Sequence, residues 1–496
     1  MTETQQEFKK GPMIAVMLIG AFFALLNETL LATALPKIMN DFGITENKVQ
    51  WLTTAFLLTN GVMIPISAFL IERFSTRKIF LTAISIFTLG TLVASISHTF
   101  PLLLTARVIQ AVGSGVMLPL MMTVVLTIFP VDKRGGAMGF AGLVIAFAPA
   151  IGPTLSGWLL EYFSWRSLFY VVLPIAILNL VFAYFAVKNV TKLTYPKIDV
   201  LSILLSSFGF GGLLFGFSSA GEDGWTDKTV LTTILGGAVI IALFIWRQLK
   251  LKTPMLEFKV FKFSRFTIAL IVTMVVIMSM IGAETMLPLY MQNTRGFSPL
   301  ESGLMLLPGA IVMGIMSPIV GSLFDKIGAK KLAVTGLTIV GITTFMFTNL
   351  SMDTSFVFLS VIYAIRMFGL SMAMMPVMTS GLNQLPQEWN AHGSAMANTM
   401  QQVSGSIGTA ILMTVMTTAA KNYEPNMQGL QGLTQAEAQQ QVMNQASLSG
   451  YNQAFILASV LSFGGMLLSF FLEKKGRKEK TDQQVTTSTT QTVNEG

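Results

Sequence analysis

The stretch Pro65-Ile66-Ser67-Ala68-Phe69-Leu70-Ile71-Glu72-Arg73-Phe74-Ser75-Thr76-Arg77-Lys78 has a counterpart later in the chain. The counterpart is Pro318-Ile319-Val320-Gly321-Ser322-Leu323-Phe324-Asp325-Lys326-Ile327-Gly328-Ala329-Lys330-Lys331, displaced by 253 residues. Each copy is an apolar run that ends in an acid and then turns basic. Two further pairs keep nearly the same spacing. Glu28-Thr29-Leu30-Leu31 matches Glu284-Thr285-Met286-Leu287 at 256, and Arg107 matches Arg366 at 259. Three matches in one order indicate an internal duplication.

The surroundings of the repeat set the class of protein. Of 496 residues, 52% are hydrophobic and 11% charged, and the mean hydropathy is +0.66. A soluble protein carries about 25% charged residues, and so little charge cannot cover a globule of this length. Apolar runs of spanning length begin near residues 12, 47, 78, 101, 135, 165, 198, 229, 265, 298, 330, 353, 391 and 450. Each must satisfy its own backbone hydrogen bonds in lipid, so each is a helix. The expected fold is an all-α polytopic membrane protein with fourteen spans. Six helices take roughly 190 residues, so the repeat spacing implies six helices, two extra ones, then six more. The expected units are an N-terminal tail (1–11), a six-helix bundle (12–190), two extra helices with linkers (191–264), a second six-helix bundle (265–472) and a disordered tail (473–496). Loop 421–449 is rich in Gln and Asn, and Thr434 with Glu437 forms a capping-box pattern, which predicts a short surface helix there. Both copies start on the same side, so the repeats are parallel, an arrangement found in two-bundle transporters with a central cavity.

Basic residues orient the spans. With the N-terminus in the cytoplasm, inner loops collect 24 Lys and Arg residues and outer loops only 6. The positive-inside rule then predicts both termini in the cytoplasm. It also explains the net charge of +8 as topology, so no nucleic-acid partner is expected. Lys9 and Lys10 precede a first run that contains Asn27 and Glu28 and has no small-residue cleavage site, which predicts a retained span and not a signal peptide. There is no cysteine and there are two histidines, so no metal site or cofactor is expected. His98 is read as an outer-loop residue, and Glu388 with His392 as a surface contact. The chain shows no phosphate-binding P-loop, and no nucleophile–base pair, metal cluster or paired carboxylates of an enzyme.

Four ionisable residues fall within spans: Glu28, Arg107, Glu284 and Arg366. A charge near mid-bilayer costs at least ~2.5–3.5 kcal/mol, so such groups are paired, wet or functional. Either they form static ion pairs that hold each bundle together, or the carboxylates trade a proton for substrate. Burial raises a Glu pKa and a neighbouring Arg lowers it, so separating the two would drive protonation. Polar residues in spans face the bundle interior, which nominates Asn27, Trp51, Asn60, Gln110, Asn398, Gln401 and Gln402 as cavity residues. In the repeated loops, Glu72, Arg73, Arg77 and Lys78, and then Asp325, Lys326, Lys330 and Lys331, are candidates for a latch. An acid at a helix end can pair with a neighbouring helix terminus.

The fifth span carries the densest pattern, Ala148-Pro149-Ala150-Ile151-Gly152-Pro153-Thr154-Leu155-Ser156-Gly157. Ala148, Gly152 and Ser156 share one face and admit a close neighbour, while Pro149 and Pro153 bend the helix. With these motifs in hand, the chain resembles the fourteen-span drug:proton antiporters of the major facilitator superfamily, in the bacterial branch of lincomycin and multidrug exporters. The resemblance covers residues 12–472. Pro149 through Gly157 match the family's antiporter motif. Arg107, Gln110, Gly113 and Gly115 match its fourth-span motif, linked to proton coupling. Residues 68–78 match its signature loop with Ala68 and Ser75 in place of glycines and Glu72 in place of Asp. Leu26-Asn27-Glu28-Thr29 with Ala34-Leu35-Pro36 resembles the first-span motif with the acid displaced by one residue. The resemblance implies a monomeric exporter in the plasma membrane of a bacterium, exchanging protons for drugs or other largely apolar small molecules. The alternative is a transporter of one metabolite, as exporter or proton symporter.

Overall fold

The computed structural model describes residues 10–191, 193–425 and 434–472. The outermost N-terminal residues, the predicted disordered tail and the middle of loop 421–449 lie outside them. All regular structure among the described residues is helical. Fourteen helices are long and apolar enough to cross a membrane: α1 (Lys10–Ala32), α3 (Glu46–Arg73), α4 (Thr76–Ser95), α5 (Phe100–Ile128), α6 (Arg134–Tyr162), α7 (Ser167–Ala186), α8 (Val200–Asp223), α9 (Lys228–Lys250), α10 (Ser264–Leu289), α11 (Pro299–Ile327), α12 (Ala329–Met346), α13 (Phe356–Leu382), α14 (Asn390–Lys421) and α15 (Gln435–Ser469). The short α2 (Leu35–Phe42) follows α1. It ends at Gly43, whose φ of +61° needs a residue without a Cβ.

One expectation fails at the last span. The sequence predicts that span from about residue 450, with a separate surface helix before it. Instead α15 is one helix of 35 residues. The capping box is real: the Thr434 hydroxyl accepts from Glu437 N–H at 3.4 Å, and Glu437 accepts from Thr434 N–H at 2.9 Å. Between Gln435 and Gly450 the sequence then offers Gln and Ala and no breaker, so the helix continues into the span.

Helices α1, α3, α4, α5, α6 and α7 pack on one another, as do α10 to α15. The pair α8–α9 packs on itself, and α8 also lies against α3 and α14. The most extensive contact in the molecule joins α6 to α11. The helix ends at residues 73–76 and 327–329 lie on the same side, called here the basic face. Toward that face the central helices are buried all round. This holds for α5 from Gly113 to Leu126 except Leu118, for α13 from Ser371 to Thr379 except Met372, and for α14 from Asn390 to Thr399. Beyond Met400, half-buried positions recur along α14 up to its end. The two sets of helices are thus closed on the basic face and looser toward the opposite one.

Candidate functional site between the helix sets

The embedded charges meet as the duplication predicts, but not as contact ion pairs. Arg107 is fully buried. Its Nη1 donates to Gln110 Oε1 at 2.9 Å and to the Asn27 carbonyl at 3.4 Å, and its Nε donates to the Leu52 carbonyl at 3.4 Å. Its guanidinium lies 4.1 Å from the centre of the Phe56 ring. Arg107 Nη2 has no partner. Glu28 sits one residue beyond Asn27, half-buried, within electrostatic reach of Arg107. Among the described residues no salt bridge within 4.0 Å joins them.

The second half repeats this plan with different side chains. Arg366, also fully buried, donates from Nε to Thr344 Oγ1 at 3.1 Å and from Nη2 to the Ser279 carbonyl at 2.9 Å. Its Nη1 has no partner. Glu284 is half-buried and interacts electrostatically with Arg366 and the buried Tyr363. Thr344 stands 253 residues after Thr91, the loop repeat's spacing. In the first half Thr91 reaches the arginine through Gln110, whose Nε2 donates to Thr91 Oγ1 at 2.8 Å. Each arginine is therefore pinned by its own helix set, while neither acid makes a hydrogen bond among the described residues.

The cavity candidates divide. Asn27 and Gln110 are buried and belong to the arginine's surroundings. Asn60 is buried, and its Oδ1 has no partner. Trp51 is 42% exposed and stacks on Phe215 of α8, ring centres 5.8 Å apart. Asn398 donates from Nδ2 to the Ser394 carbonyl at 2.8 Å and to Met122 Sδ of α5 at 3.3 Å. Gln401 donates to Met378 Sδ at 3.2 Å, and Gln402 is half-buried.

The α6 motif packs in two directions. Toward α1, a Cβ on Gly152 would come within 2.1 Å of Thr29 Oγ1, and Thr33 donates to Ser156 at 2.5 Å. Thr29 is the residue after Glu28. Toward α11, Gly157 faces Leu300, and a Cβ on Gly303 would meet Thr154 Oγ1 at 2.8 Å. Ala148 is fully buried, while Pro149 and Pro153 are half-buried.

On the basic face the repeated loops make two kinds of contact across the helix sets. Asp325 accepts from Gly135 N–H at 2.9 Å and Gly136 N–H at 3.0 Å, the orphan donors in the first turn of α6. It caps that helix from across the interface, with its charge at the positive end of the dipole. Glu72 does not reach helix donors. It pairs with His392 Nε2 at 2.8 Å, near the start of α14, while His392 Nδ1 accepts from Glu257 N–H at 3.3 Å. His392 is therefore buried across the interface, a correction to the expected surface contact with Glu388, which is exposed. The missed signal was a histidine placed inside a span. Arg134, also missed, donates to Asn383 Oδ1 across the same face at 2.9 Å.

The bases of the loops do other work. Arg73 donates to the Pro196 carbonyl in the chain that follows α7, and Arg77 to the Tyr184 carbonyl in the last turn of α7. Lys330 donates to the Phe470 carbonyl. Lys78 lies over the Phe74 ring, and Lys326 and Lys331 are exposed. His98 is exposed in the α4–α5 turn, as expected. Among the described residues no cluster of three or more metal-ligating side chains occurs. A groove of about 470 Å³ lined by Leu81, Ser85, Leu180 and Tyr184 lies on the apolar flank and holds none of the embedded charges.

Fourteen crossings, a duplicated charged loop and ionisable side chains buried between helices define a polytopic membrane transporter. The Major Facilitator Superfamily profile matches residues 17–409, and the chain belongs to that superfamily, whose members are transporters and not enzymes. It is 52% identical over 473 residues to the MFS-type transporter YcnB of Bacillus subtilis (strain 168), covering 95% of this chain and 97% of that one. It is 44% identical over 470 residues to the lincomycin resistance protein LmrB of Listeria innocua, covering 95% and 98%. Among solved structures, the human organic anion transporter MFSD10 (TETRAN) superimposes with a TM-score of 0.65 at 14% identity, covering 92% of this chain and 99% of that one.

Proposed function

We propose that the protein exports drugs or other largely apolar small molecules from the cytoplasm in exchange for protons, by alternating access. The observation that carries this reading is the state of Glu28: a carboxylate deep in the bundle, without a hydrogen bond among the described residues, beside an arginine that other groups hold in place. A structural ion pair would close at contact distance. A proton carrier needs a carboxylate whose neighbourhood can change without unfolding its partner. Glu284 and Arg366 are a second such arrangement. The likeness to a lincomycin resistance protein supports the drug class.

The basic face is read as cytoplasmic by the positive-inside rule. The molecule is then closed inward and receives protons from outside. Proton entry supplies about 2.3 kcal/mol per charge per 100 mV. For one proton per neutral substrate, that sustains a concentration ratio of about fiftyfold.

Transport into inverted vesicles tests the reading. Uptake of a drug by the unaltered protein should collapse when an uncoupler is added. Glu28→Gln should abolish gradient-driven uptake while leaving exchange down a substrate gradient. Arg107→Ala should shift the pH dependence of uptake. Uptake at normal rates in the presence of uncoupler would overturn proton antiport.

A further inference from the structure

A row of polar side chains on α14 is poorly satisfied where the two helix sets meet. Asn390, Ser394, Asn398 and Gln401 fall within an arc of about 80° on one helix face. Asn390 and Ser394 are 1% and 0% exposed. Among the described residues, both amide atoms of Asn390 and the hydroxyl of Ser394 have no hydrogen-bond partner. Gln401 places its amide N–H on the sulfur of Met378, and Asn398, which also donates to the Ser394 carbonyl, reaches the sulfur of Met122; thioether sulfur is a weak acceptor. Against the row lie Met122 of α5 and Met378 of α13, two of several buried methionines on those helices. Burying a polar group unpaired costs about 1–3 kcal/mol, and Ala or Leu at these positions would avoid that cost. A seam meant only to be closed has no use for this row.

We propose that this row, facing the methionine wall, is the substrate track of the inward-open chamber, and that it selects neutral, largely apolar molecules carrying hydroxyl or carbonyl groups. The inference rests on the exchange cycle proposed above. In such a cycle the surfaces buried together on the closed face become the walls of the chamber when that face opens. The methionines then supply an apolar wall with three rotatable bonds per side chain, which adapts to differently shaped ligands. The α14 row supplies the Asn390 amide and Ser394 hydroxyl, which the closed state leaves unpaired among the described residues, and the Gln401 amide, which it leaves on sulfur. A ligand with oxygen acceptors gains these donors at little loss, because it displaces only weak partners. A cation without donors or acceptors gains nothing from them.

The chain contains no cysteine, so Ser394→Cys and Asn398→Cys each install a single thiol. In inverted vesicles a membrane-impermeant maleimide should label both positions from the basic face. Chloramphenicol, neutral with hydroxyl and carbonyl groups, should slow labelling severalfold, and tetraphenylphosphonium should not. Ser394→Ala removes an unpartnered hydroxyl. It should leave the melting temperature unchanged or higher and raise the KM for chloramphenicol about three- to tenfold, the worth of one neutral hydrogen bond. The proposal is overturned by thiols that stay unlabelled, by labelling that chloramphenicol does not slow, or by equal protection from the cation. Protection by chloramphenicol combined with uncoupler-insensitive uptake would leave the track standing and remove the proton exchange.

Discussion

The two seams that join the helix sets are built from the same duplicated element in opposite ways. On one side α11 lies directly on α6. A Cβ on Gly321 would approach the Gly135 carbonyl oxygen to 2.3 Å, and one on Gly139 the Ser317 carbonyl oxygen to 2.6 Å. Backbone meets backbone there. On the other side α3 packs on α14 through side chains, and α8 lies against both. Glu72 reaches α14 only through His392. Leu214 sits over Gly61, Trp51 stacks on Phe215, and Trp225 donates to Thr414 at 2.8 Å. The difference gives the first copy's departures from the signature a physical reason. Gly321 and Gly328 are needed where α11 touches α6 and turns at φ +81°. Ala68 and Ser75 suffice at the corresponding places, where Ser75 instead accepts from Lys78 N–H as a helix cap. In the exchange cycle proposed above, the glycine seam would serve as the tight pivot, and the seam of long side chains beside α8 would be the one that parts and re-forms.

The largest effect is expected at the pivot. Gly321→Ala puts a methyl group against main-chain atoms on both sides, with no flexible side chain to yield. Overpacking of this kind costs about 1–3 kcal/mol and at times more, and transport should be lost along with thermal stability in detergent. The reverse change at the matching position, Ala68→Gly, should cost only about 1 kcal/mol of helix propensity and leave transport intact. Equal losses at the two positions would erase the distinction between the seams.

The latches give the next effect. Asp325→Asn keeps the shape but removes a charge from two backbone donors at a helix N-terminus, worth up to ~2 kcal/mol in a partly buried setting. The basic face should open more often, measured as faster maleimide labelling of Ser394→Cys from that side. Glu72→Gln and His392→Gln should each open it less, since the amide can still hydrogen-bond. The two changes should also be non-additive, because the residues touch. Additive effects would mean that the 2.8 Å contact carries no coupling.

Most of the architecture was legible because lipid enforces it. Twenty-residue apolar runs, the basic bias and the repeated Glu28, Arg107 and Glu72 elements follow from backbone satisfaction and charge cost alone. The cross-seam partners were not legible. Nothing local links Asp325 to Gly135 or Glu72 to His392, since each contact depends on how the second helix set docks on the first. The arginines' partners escaped for a related reason. Coulomb attraction suggested Glu28 for Arg107, but Gln110, one helical turn away on the same helix, is the nearer acceptor. The start of α15 was missed because a run of Gln and Ala reads as polar loop, although its propensity is helical.

The smallest effect concerns the α8–α9 hairpin. Asp199 caps α8 and holds Arg247 of α9 through two hydrogen bonds of 2.9 Å. Those bonds, with the contacts from Ser202, pull its carboxyl below the usual carboxylate range. A depressed folded-state pKa stabilises the fold above the unfolded value near 4, and the contribution disappears as pH falls through the folded value. Between neutral pH and pH 5 the hairpin should therefore be insensitive to acid, and it should loosen only below about pH 4. Asp199→Asn should remove that acid step, lower the melting temperature by a few degrees at neutral pH and leave the α6–α11 pivot untouched. Because α8 packs mainly on α3 and α14 outside its own hairpin, the loosened hairpin should speed labelling at the Glu72–His392 side and not at Gly321. If both sides respond equally, α8 is not a wedge in one seam but part of the shared framework, and the asymmetry lies in the glycines alone.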